Sequence, residues 1–205
     1  MSARPTSFGL PTAAPRSSRV VIADAGPLIA LARIDALNLL HELFGRVYIT
    51  CTVREEILPA SAADRFPESE GLLRTLAEGW IEVVEVATDH WAPLNPGVDA
   101  GEASTIHAAC LWREAGDAVL LVIDDRAGRT EARSRGIALI GTAAVIGLAK
   151  STGKIAAARP LLEQLTRSGY FLGTTVIAAV LAGVGEQLAS DSTNVLTPAP
   201  GEAAL

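Results

Sequence analysis

The sequence predicts an α/β protein with a central, mainly parallel sheet. Two short apolar runs, VVIA at 20–23 and VLLVI at 119–123, each end at an acidic residue and lead into a helical pattern. Strands that are apolar throughout are typical of parallel sheets covered on both faces. The chain is 49% hydrophobic but only 4% aromatic, so Ala, Val, Leu and Ile must build its core. Such a composition suits closely packed α/β layers.

Length, charge and cysteine content narrow the class of protein. The 205 residues are enough for one well-buried domain with some appended helix. The net charge of −6 argues against a protein that coats nucleic acid non-specifically, because such binding needs Lys and Arg to neutralise phosphates. Cys51 and Cys110 are too few for a ligand motif and are interpreted as reduced core thiols. The apolar run at 176–184 is shorter than the ~20 residues of a spanning helix, and residues 1–18 lack the apolar core of a signal peptide. We therefore expect a soluble, cytoplasmic protein.

The remaining elements follow from local patterns. Further strands are predicted at 46–50, at 80–86 near a sheet edge, and at 137–141. Helical patterns cover 27–33, 36–43, 68–78, 142–150, 156–168 and 174–188, and Thr142 is the expected cap of its helix. The predicted domain organisation is a disordered leader at 1–18, a folded main domain at 19–153, a helical extension at 154–189 and a flexible tail at 190–205.

One apolar stripe in the helical extension has three possible uses. Val176, Val180, Val184 and Leu188 fall on a single helix face. This face could pack on the domain, close a homodimer or hold a partner helix, and the sequence leaves these three open.

Asp24 is the first candidate site residue. It follows the first predicted strand and precedes Gly26 and Pro27, where a helix begins. An acidic residue in this place also suits a helix N-cap, so both interpretations stay open. Asp124 and Asp125 end the second apolar run in the same way. Because the carboxyl ends of parallel strands meet at one edge, where open α/β sheets bind ligands, these acids are expected to line one crevice.

Glu56 is a second candidate on the helix after the strand at 46–50. Thr52 and Glu55 match a T-x-x-E capping box, which assigns Glu55 a structural role. Glu56 is left at the edge of the apolar stripe formed by Val53 and Ile57. At that position it is either a solvated surface residue or a member of the site.

Glu102 is a third candidate with a similar ambiguity. Asp99 and Glu102 also match a capping box. Glu102 nevertheless begins the helix face that continues through Ile106 and Ala109, so its carboxylate lies at the top of a buried stripe. A buried carboxylate needs a partner.

Carboxylates that meet in one crevice need a proton or a cation. Two unit charges ~4 Å apart repel by roughly 4 kcal/mol at an effective dielectric near 20. Oxygen ligands without nearby His or Cys favour Mg²⁺ or Mn²⁺, and His41 and His90 have no companion at the spacing of a zinc site. One such ion, or two, would support hydrolysis of a phosphodiester by activating a bound water.

Basic residues follow the second acidic pair. Arg126, Arg129, Arg133 and Arg135 lie on one predicted helix. They could form i, i+4 pairs, Asp125 with Arg129 and Glu131 with Arg135, or a basic rim beside the acidic crevice. In the second case Arg126 and Arg129, together with Arg54, are the candidate contacts to the phosphates of the substrate.

Five segments resemble PIN-domain proteins related to the VapC toxins of bacterial toxin–antitoxin pairs. They occur in the family's order across 19–172: VIADAGPLIALARIDAL, TVREEI, DAGEASTIHAA, LLVIDDRAGRTEARSRGIALIGT and LLEQLTRSGYF. The chain is most similar to a PIN-like subgroup with GE in the third motif and DD in the fourth. Many PIN toxins have Asp where this chain has Glu102, and usually one Asp where it has Asp124 and Asp125.

The resemblance implies a three-layer α/β/α fold and a set of metal ligands. By position, the family's four acids correspond to Asp24, Glu56, Glu102 and either Asp124 or Asp125. It also implies a Mg²⁺- or Mn²⁺-dependent ribonuclease that acts on single-stranded or structured RNA. A small antitoxin that covers the site and a homodimer are further implications.

Two other functions compete with a toxin ribonuclease. A PIN-like binding module with weak or no nuclease activity could act through its C-terminal helices, and the acidic net charge favours this alternative. A phosphoacceptor domain of the response-regulator type also gathers acids at strand ends. It needs an acid pair after the first strand, where this chain has the single Asp24, so it ranks last.

Overall fold

The computed structural model describes residues 19–59, 67–87 and 91–187. The predicted leader at 1–18 and tail at 190–205, together with Leu188 and His90, lie outside the described residues. No helix within the described ranges is long and apolar enough to cross a membrane.

A parallel sheet forms the centre of the described part of the chain. Its five strands have the order β3-β2-β1-β4-β5, and every neighbouring pair is parallel. The strands are β1 Val20–Ala23, β2 Val47–Thr50, β3 Ile81–Val84, β4 Val119–Val122 and β5 Ala138–Ile140. The predicted α/β class and parallel sheet are therefore confirmed, and the strand predicted at 80–86 does lie at an edge.

Nine helices in the described residues flank the sheet. They are α1 Ala25–Arg33, α2 Asn38–Phe44, α3 Cys51–Ile57, α4 Ser69–Glu78, α5 Ala100–Glu114, α6 Arg126–Ser134, α7 Thr142–Ser151, α8 Arg159–Arg167 and α9 Thr174–Gly183. Together with the sheet they form three α/β/α layers.

Alternate residues of each strand face different helical layers. In β1, Val21 packs in the hydrophobic cluster that includes α1, α2, α3, α7 and α8. Its neighbour Ile22 packs in the opposite cluster, with Ile106 and Trp112 of α5. Both faces of the sheet are buried, which explains why the strands read as continuous apolar runs.

The strand order reverses between β1 and β4. The chain builds β2 and β3 on one side of β1 and returns to place β4 and β5 on the other. The amide of Asp24 donates to the carbonyl of Val122 at 3.0 Å, so the carboxyl ends of β1 and β4 are adjacent. Such a switch point is where open α/β sheets bind ligands.

The C-terminal helices pack on the domain. Leu162 and Leu165 of α8 are fully buried in the first cluster. The Glu186 carboxylate accepts hydrogen bonds from the amides of Ala158 and Arg159, at 2.8 and 2.9 Å, and so stabilises the start of α8.

The predicted stripe on α9 is largely used in this packing. Val180 lies so near α7 that a Cβ on Gly147 would come within 2.8 Å of its side chain. Val184 packs against the same cluster, whereas Val176 remains 48% exposed.

Two predicted helix caps are wrong. α3 is capped by Thr50 rather than Thr52, because β2 runs directly into α3 and its last residue occupies the N-cap position. The Thr50 hydroxyl accepts from the amide of Val53 at 3.1 Å, and Glu55 has no capping role. α7 has Gly141 at its N-cap, and the hydroxyl of Thr142 bonds to Asp124 instead.

Candidate active site

A cleft of about 430 Å³ lies at the carboxyl edge of the sheet. The acids that follow β1 and β4 reach it from the strand ends, and α3 and α5 contribute the others. Its lining comprises the five acids proposed from the sequence and five further residues: Asp24, Glu56, Glu102, Asp124, Asp125, Gly26, Gly97, Asp99, Tyr170 and Phe171.

Asp24 occupies the N-cap position of α1 without acting as a cap. Its side chain forms no capping hydrogen bond, the residue is 6% exposed, and Oδ1 is buried without a hydrogen-bond partner. Burial, reinforced by the charge of Glu56, raises the pKa of Asp24 to about 7. The ionised carboxylate is therefore unfavourable unless a cation compensates it.

Glu102 is both a capping residue and a cleft residue. Its Oε2 accepts from the amide of Asp99 at 3.2 Å, and Oδ1 of Asp99 accepts from the amide of Glu102 at 2.8 Å. The predicted capping box is thus confirmed. Glu102 is only 3% exposed, and burial, followed by the nearby charge of Asp125, raises its pKa to about 8.

Asp124 is fixed by three hydrogen bonds. Its Oδ1 accepts from the amide of Thr142 at 2.9 Å, and its Oδ2 accepts from the Thr142 hydroxyl. The Tyr170 hydroxyl donates to the same Oδ2 at 2.7 Å. These donors hold the carboxylate in a single orientation at the end of β4.

Asp125 caps α6 through one oxygen. Its Oδ1 accepts from the amides of Ala127 and Gly128, at 2.5 and 3.2 Å. Burial opposes ionisation here, but the amide bonds and a hydrogen bond from Glu102 outweigh it and lower the pKa of Asp125. In the absence of a cation the proton therefore resides on Glu102, and Asp125 is its ionised neighbour.

Glu56 approaches the cleft from an exposed position on α3. The residue is exposed, while Val53 and Ile57 of the same helix are fully buried. Burial of part of the side chain, together with the charge of Asp99, raises the pKa of Glu56.

Three of the acids lie against glycines. A Cβ on Gly101 would come within 2.5 Å of Oε2 of Glu56, and one on Gly141 within 2.6 Å of Oδ1 of Asp124. A Cβ on Gly128 would lie 3.1 Å from the Glu102 carboxyl carbon and 2.5 Å from the side chain of Ile123. Any larger residue at these positions would displace a carboxylate or its support.

The predicted basic rim is only loosely associated with the cleft. Arg54 and Arg126 are exposed and Arg129 is partly buried, and none of the three belongs to the cleft lining described above. The predicted Asp125–Arg129 pair is wrong, because Asp125 caps α6 and Nη1 of Arg129 donates to the Ile123 carbonyl at 2.9 Å. The Glu131–Arg135 pair is confirmed, with Nε and Oε1 2.6 Å apart.

The donor set fits a hard divalent cation that keeps part of its hydration shell. Within 19–59, 67–87 and 91–187, no three His, Cys, Asp or Glu side chains are close enough together to hold an ion by themselves. Mg²⁺, however, usually binds one or two carboxylates and retains several waters. The buried and unpartnered Oδ1 of Asp24 is an oxygen ligand of this kind.

Some cleft residues had no clear signal in the sequence. Asp99 was interpreted only as a cap, although its charge also affects Asp24, Glu56 and Glu102. Tyr170 and Phe171 end the segment LLEQLTRSGYF of the family resemblance, but neither was predicted as a site residue. The signal closest to them is the Gly169 that precedes them, which marks the end of a helix.

Comparison with known proteins agrees with this architecture. None of the curated proteins compared with the chain matches it significantly. Residues 20–186 match a family model described as a PIN domain. PIN domains are generally nucleases, and they typically use divalent metal ions. Because the match covers most of the sequence and nearly all described residues, the chain belongs to the PIN-domain family.

Proposed function

We propose that this protein is a metal-dependent endoribonuclease and the toxin of a type II toxin–antitoxin pair. One observation carries the proposal. Asp24 and Glu102 are almost fully buried in a cleft with four other acids, and burial raises their pKa values to about 7 and about 8. A divalent cation would offset the unfavourable burial of these charges.

Mg²⁺ or Mn²⁺ would be held directly by one or two of the cleft carboxylates and through retained waters by the others. The proposed ligands are Asp24, Glu56, Glu102, Asp124 and Asp125. When bound, such an ion lowers the pKa of a coordinated water and neutralises charge on a phosphate. Thr142 and Tyr170 keep the Asp124 carboxylate fixed, and the capping box keeps Glu102 at the start of α5. Glu102 would release its proton as the cleft takes up a cation.

Electrostatic attraction of RNA would depend on residues outside the acidic cleft. Arg54 and Arg126 are exposed cations. Arg54 lies on α3, which also carries Glu56, and Arg126 lies on α6, which directly follows Asp125. Electrostatic contacts of this kind position a phosphate backbone without reading its sequence. In this proposal a small antitoxin covers the cleft, and the protein acts in the cytoplasm as a homodimer.

A binding module with weak or no nuclease activity is the second candidate. The net charge of −6 favours it, because the surface as a whole repels RNA. Such a protein would retain the acidic cleft and act by binding a partner through its C-terminal helices.

Cleavage of RNA by the purified protein separates the two candidates. With Mn²⁺, we expect the wild-type protein to cut an RNA substrate and Asp24→Asn to reduce the rate by at least 100-fold. Glu114→Gln is the control, because it also removes one carboxylate charge but at the exposed last residue of α5, outside the cleft lining.

Two outcomes would contradict the nuclease mechanism. Cutting that continues in EDTA excludes a metal-dependent reaction, and cutting by Asp24→Asn excludes the proposed site. Intact Mn²⁺ binding without cleavage of any RNA supports the binding module. Growth of bacteria that express the chain with and without the neighbouring open reading frame tests the toxin–antitoxin assignment.

A further inference from the structure

The loop that joins α8 to α9 reaches the rim of the acidic cleft. α8 ends in a Schellman motif, in which the amide of Gly169 donates to the carbonyl of Thr166 at 3.1 Å and the amide of Tyr170 to that of Leu165 at 3.3 Å. Gly169 has the left-handed conformation that this motif requires, with φ +84°. The path of the loop is therefore fixed by its backbone.

Side chains anchor the loop on both sides of Phe171. The hydroxyl of Tyr170 donates to Oδ2 of Asp124 at 2.7 Å, and its ring packs against the main core cluster. Leu172 packs against the same cluster. Phe171 lies between two anchored neighbours, so its position at the rim is restrained even though its own ring is free.

Phe171 is an exposed aromatic ring in a cleft that is otherwise acidic. It is 92% exposed and lines the cleft with the carboxylates. Among the described residues, the other large apolar side chains exposed to solvent are aliphatic and lie outside the cleft lining: Leu73, Val83, Leu94 and Val176. A ligand with an uncharged flat face could stack on this ring beside the cleft acids and remove its apolar surface from water.

We propose that Phe171 stacks on a nucleobase of single-stranded RNA next to the phosphate that is cut. This inference rests on the proposed nuclease function and assigns Phe171 to it as a residue that positions the substrate. Every base has a π-face, so stacking on an aromatic side chain is largely independent of sequence. In a duplex the base faces are already stacked on each other, which makes an unpaired strand the substrate that the ring can reach.

Kinetics on single-stranded RNA test the proposal. With Mn²⁺, we expect Phe171→Ala to raise KM by roughly 5- to 150-fold, the range given by the loss of one base–aromatic stack, with little change in kcat. Phe171→Trp should restore the wild-type KM. Leu94→Ala is the matched control, because Leu94 is 77% exposed but lies outside the cleft lining.

A fluorescent base gives a readout that a structural role would not move. An RNA carrying 2-aminopurine, mixed with the protein and Mn²⁺ in a stopped-flow instrument, should be quenched before cleavage by the wild type and by Phe171→Trp. Phe171→Ala should not quench it. Equal melting temperatures of the variants show that the fold is unchanged.

The outcomes separate this inference from the nuclease proposal. Quenching that depends on Phe171, without any cleavage by the wild type, supports stacking and refutes the nuclease function. Normal cleavage and normal quenching by Phe171→Ala refute stacking and leave the nuclease function intact. A Phe171→Ala protein that cuts normally but loses its dimer in size-exclusion chromatography assigns the ring to a protein interface and likewise overturns the proposal.

Discussion

Replacing Asp24 by Asn should change how stability depends on pH in the metal-free protein. Burial raises the pKa of Asp24 from 3.8 to about 7, so between these two values the folded protein binds a proton that the unfolded chain has released. The free energy of unfolding therefore falls as the pH rises through this window. Asn has no charge to lose and removes this dependence.

The magnitude follows from the two pKa values. At 1.36 kcal/mol per pKa unit, the destabilisation by Asp24 is about 2 kcal/mol at pH 5 and about 4 kcal/mol at pH 8. The wild type should thus lose about 2 to 3 kcal/mol more than Asp24→Asn between these pH values. Because Asp24 is 6% exposed, solvent screening does little to reduce the effect.

Urea denaturation in EDTA at pH 5 and pH 8 measures this difference. Glu102 titrates in both proteins and so cancels in the comparison. Mn²⁺ added at pH 8 should stabilise the wild type and have a much smaller effect on Asp24→Asn. If the two proteins lose the same free energy of unfolding between pH 5 and pH 8, Asp24 is not a buried carboxylate with a raised pKa, and the reasoning fails.

Two further substitutions probe the supports of the cleft. Gly141→Ala would place a Cβ 2.6 Å from Oδ1 of Asp124 and so displace this carboxylate. We expect Mn²⁺-dependent cleavage to fall about tenfold, as it does when a residue that orients a metal ligand is replaced. Its control, Gly71→Ala in α4, meets nothing within 4 Å and should raise the free energy of unfolding by about 1 kcal/mol with unchanged cleavage. Glu131→Gln weakens charged hydrogen bonds to the amides of Leu94 and Asn95 and to Arg135. These bonds lower the pKa of Glu131 below its ordinary value of 4.5. Urea denaturation should therefore show a loss of about 2 kcal/mol at pH 7 that becomes smaller as the pH falls below 4.5. A loss that stays constant with falling pH would contradict this cause.

Local patterns were sufficient to predict the strands and the acids that follow them. The runs at 20–23 and 119–123 are apolar throughout because both faces of β1 and β4 are buried. Each of these strands ends at the carboxyl edge of the sheet, so the residue after it enters the cleft. The apolar runs in the sequence were therefore enough to place Asp24 and Asp124 at the carboxyl edge of the sheet.

Contacts between distant segments were not predictable in this way. Tyr170 and Asp124 are 46 positions apart, and Gly101 and Glu56 meet only because α5 packs beside α3. The spacing of apolar residues within one helix or strand does not predict contacts between distant segments. The importance of Gly101, Gly128 and Gly141 likewise lies in the carboxylates that occupy the space of their missing side chains.

The two capping-box patterns show why a motif depends on its place in the fold. Asp99 and Glu102 form the box because the loop before α5 ends at Asp99. Thr52 and Glu55 match the pattern equally well, but Thr50 at the end of β2 already occupies the N-cap position. A capping-box pattern is informative only when the first residue of the helix is known. In α3 that residue is set by the end of β2.

Capping and metal binding are compatible uses of the same carboxylates. The cap at α5 occupies only Oε2 of Glu102, and the cap at α6 occupies only Oδ1 of Asp125. A carboxylate has about four acceptor sites, so each retains capacity for a cation. The backbone bond also restricts the rotamer, which reduces the entropy lost when a metal binds. Asp24 forms no capping hydrogen bond, and its Oδ1 is buried without a hydrogen-bond partner. The ion should therefore contribute more to holding Asp24 in place than to holding either capped acid.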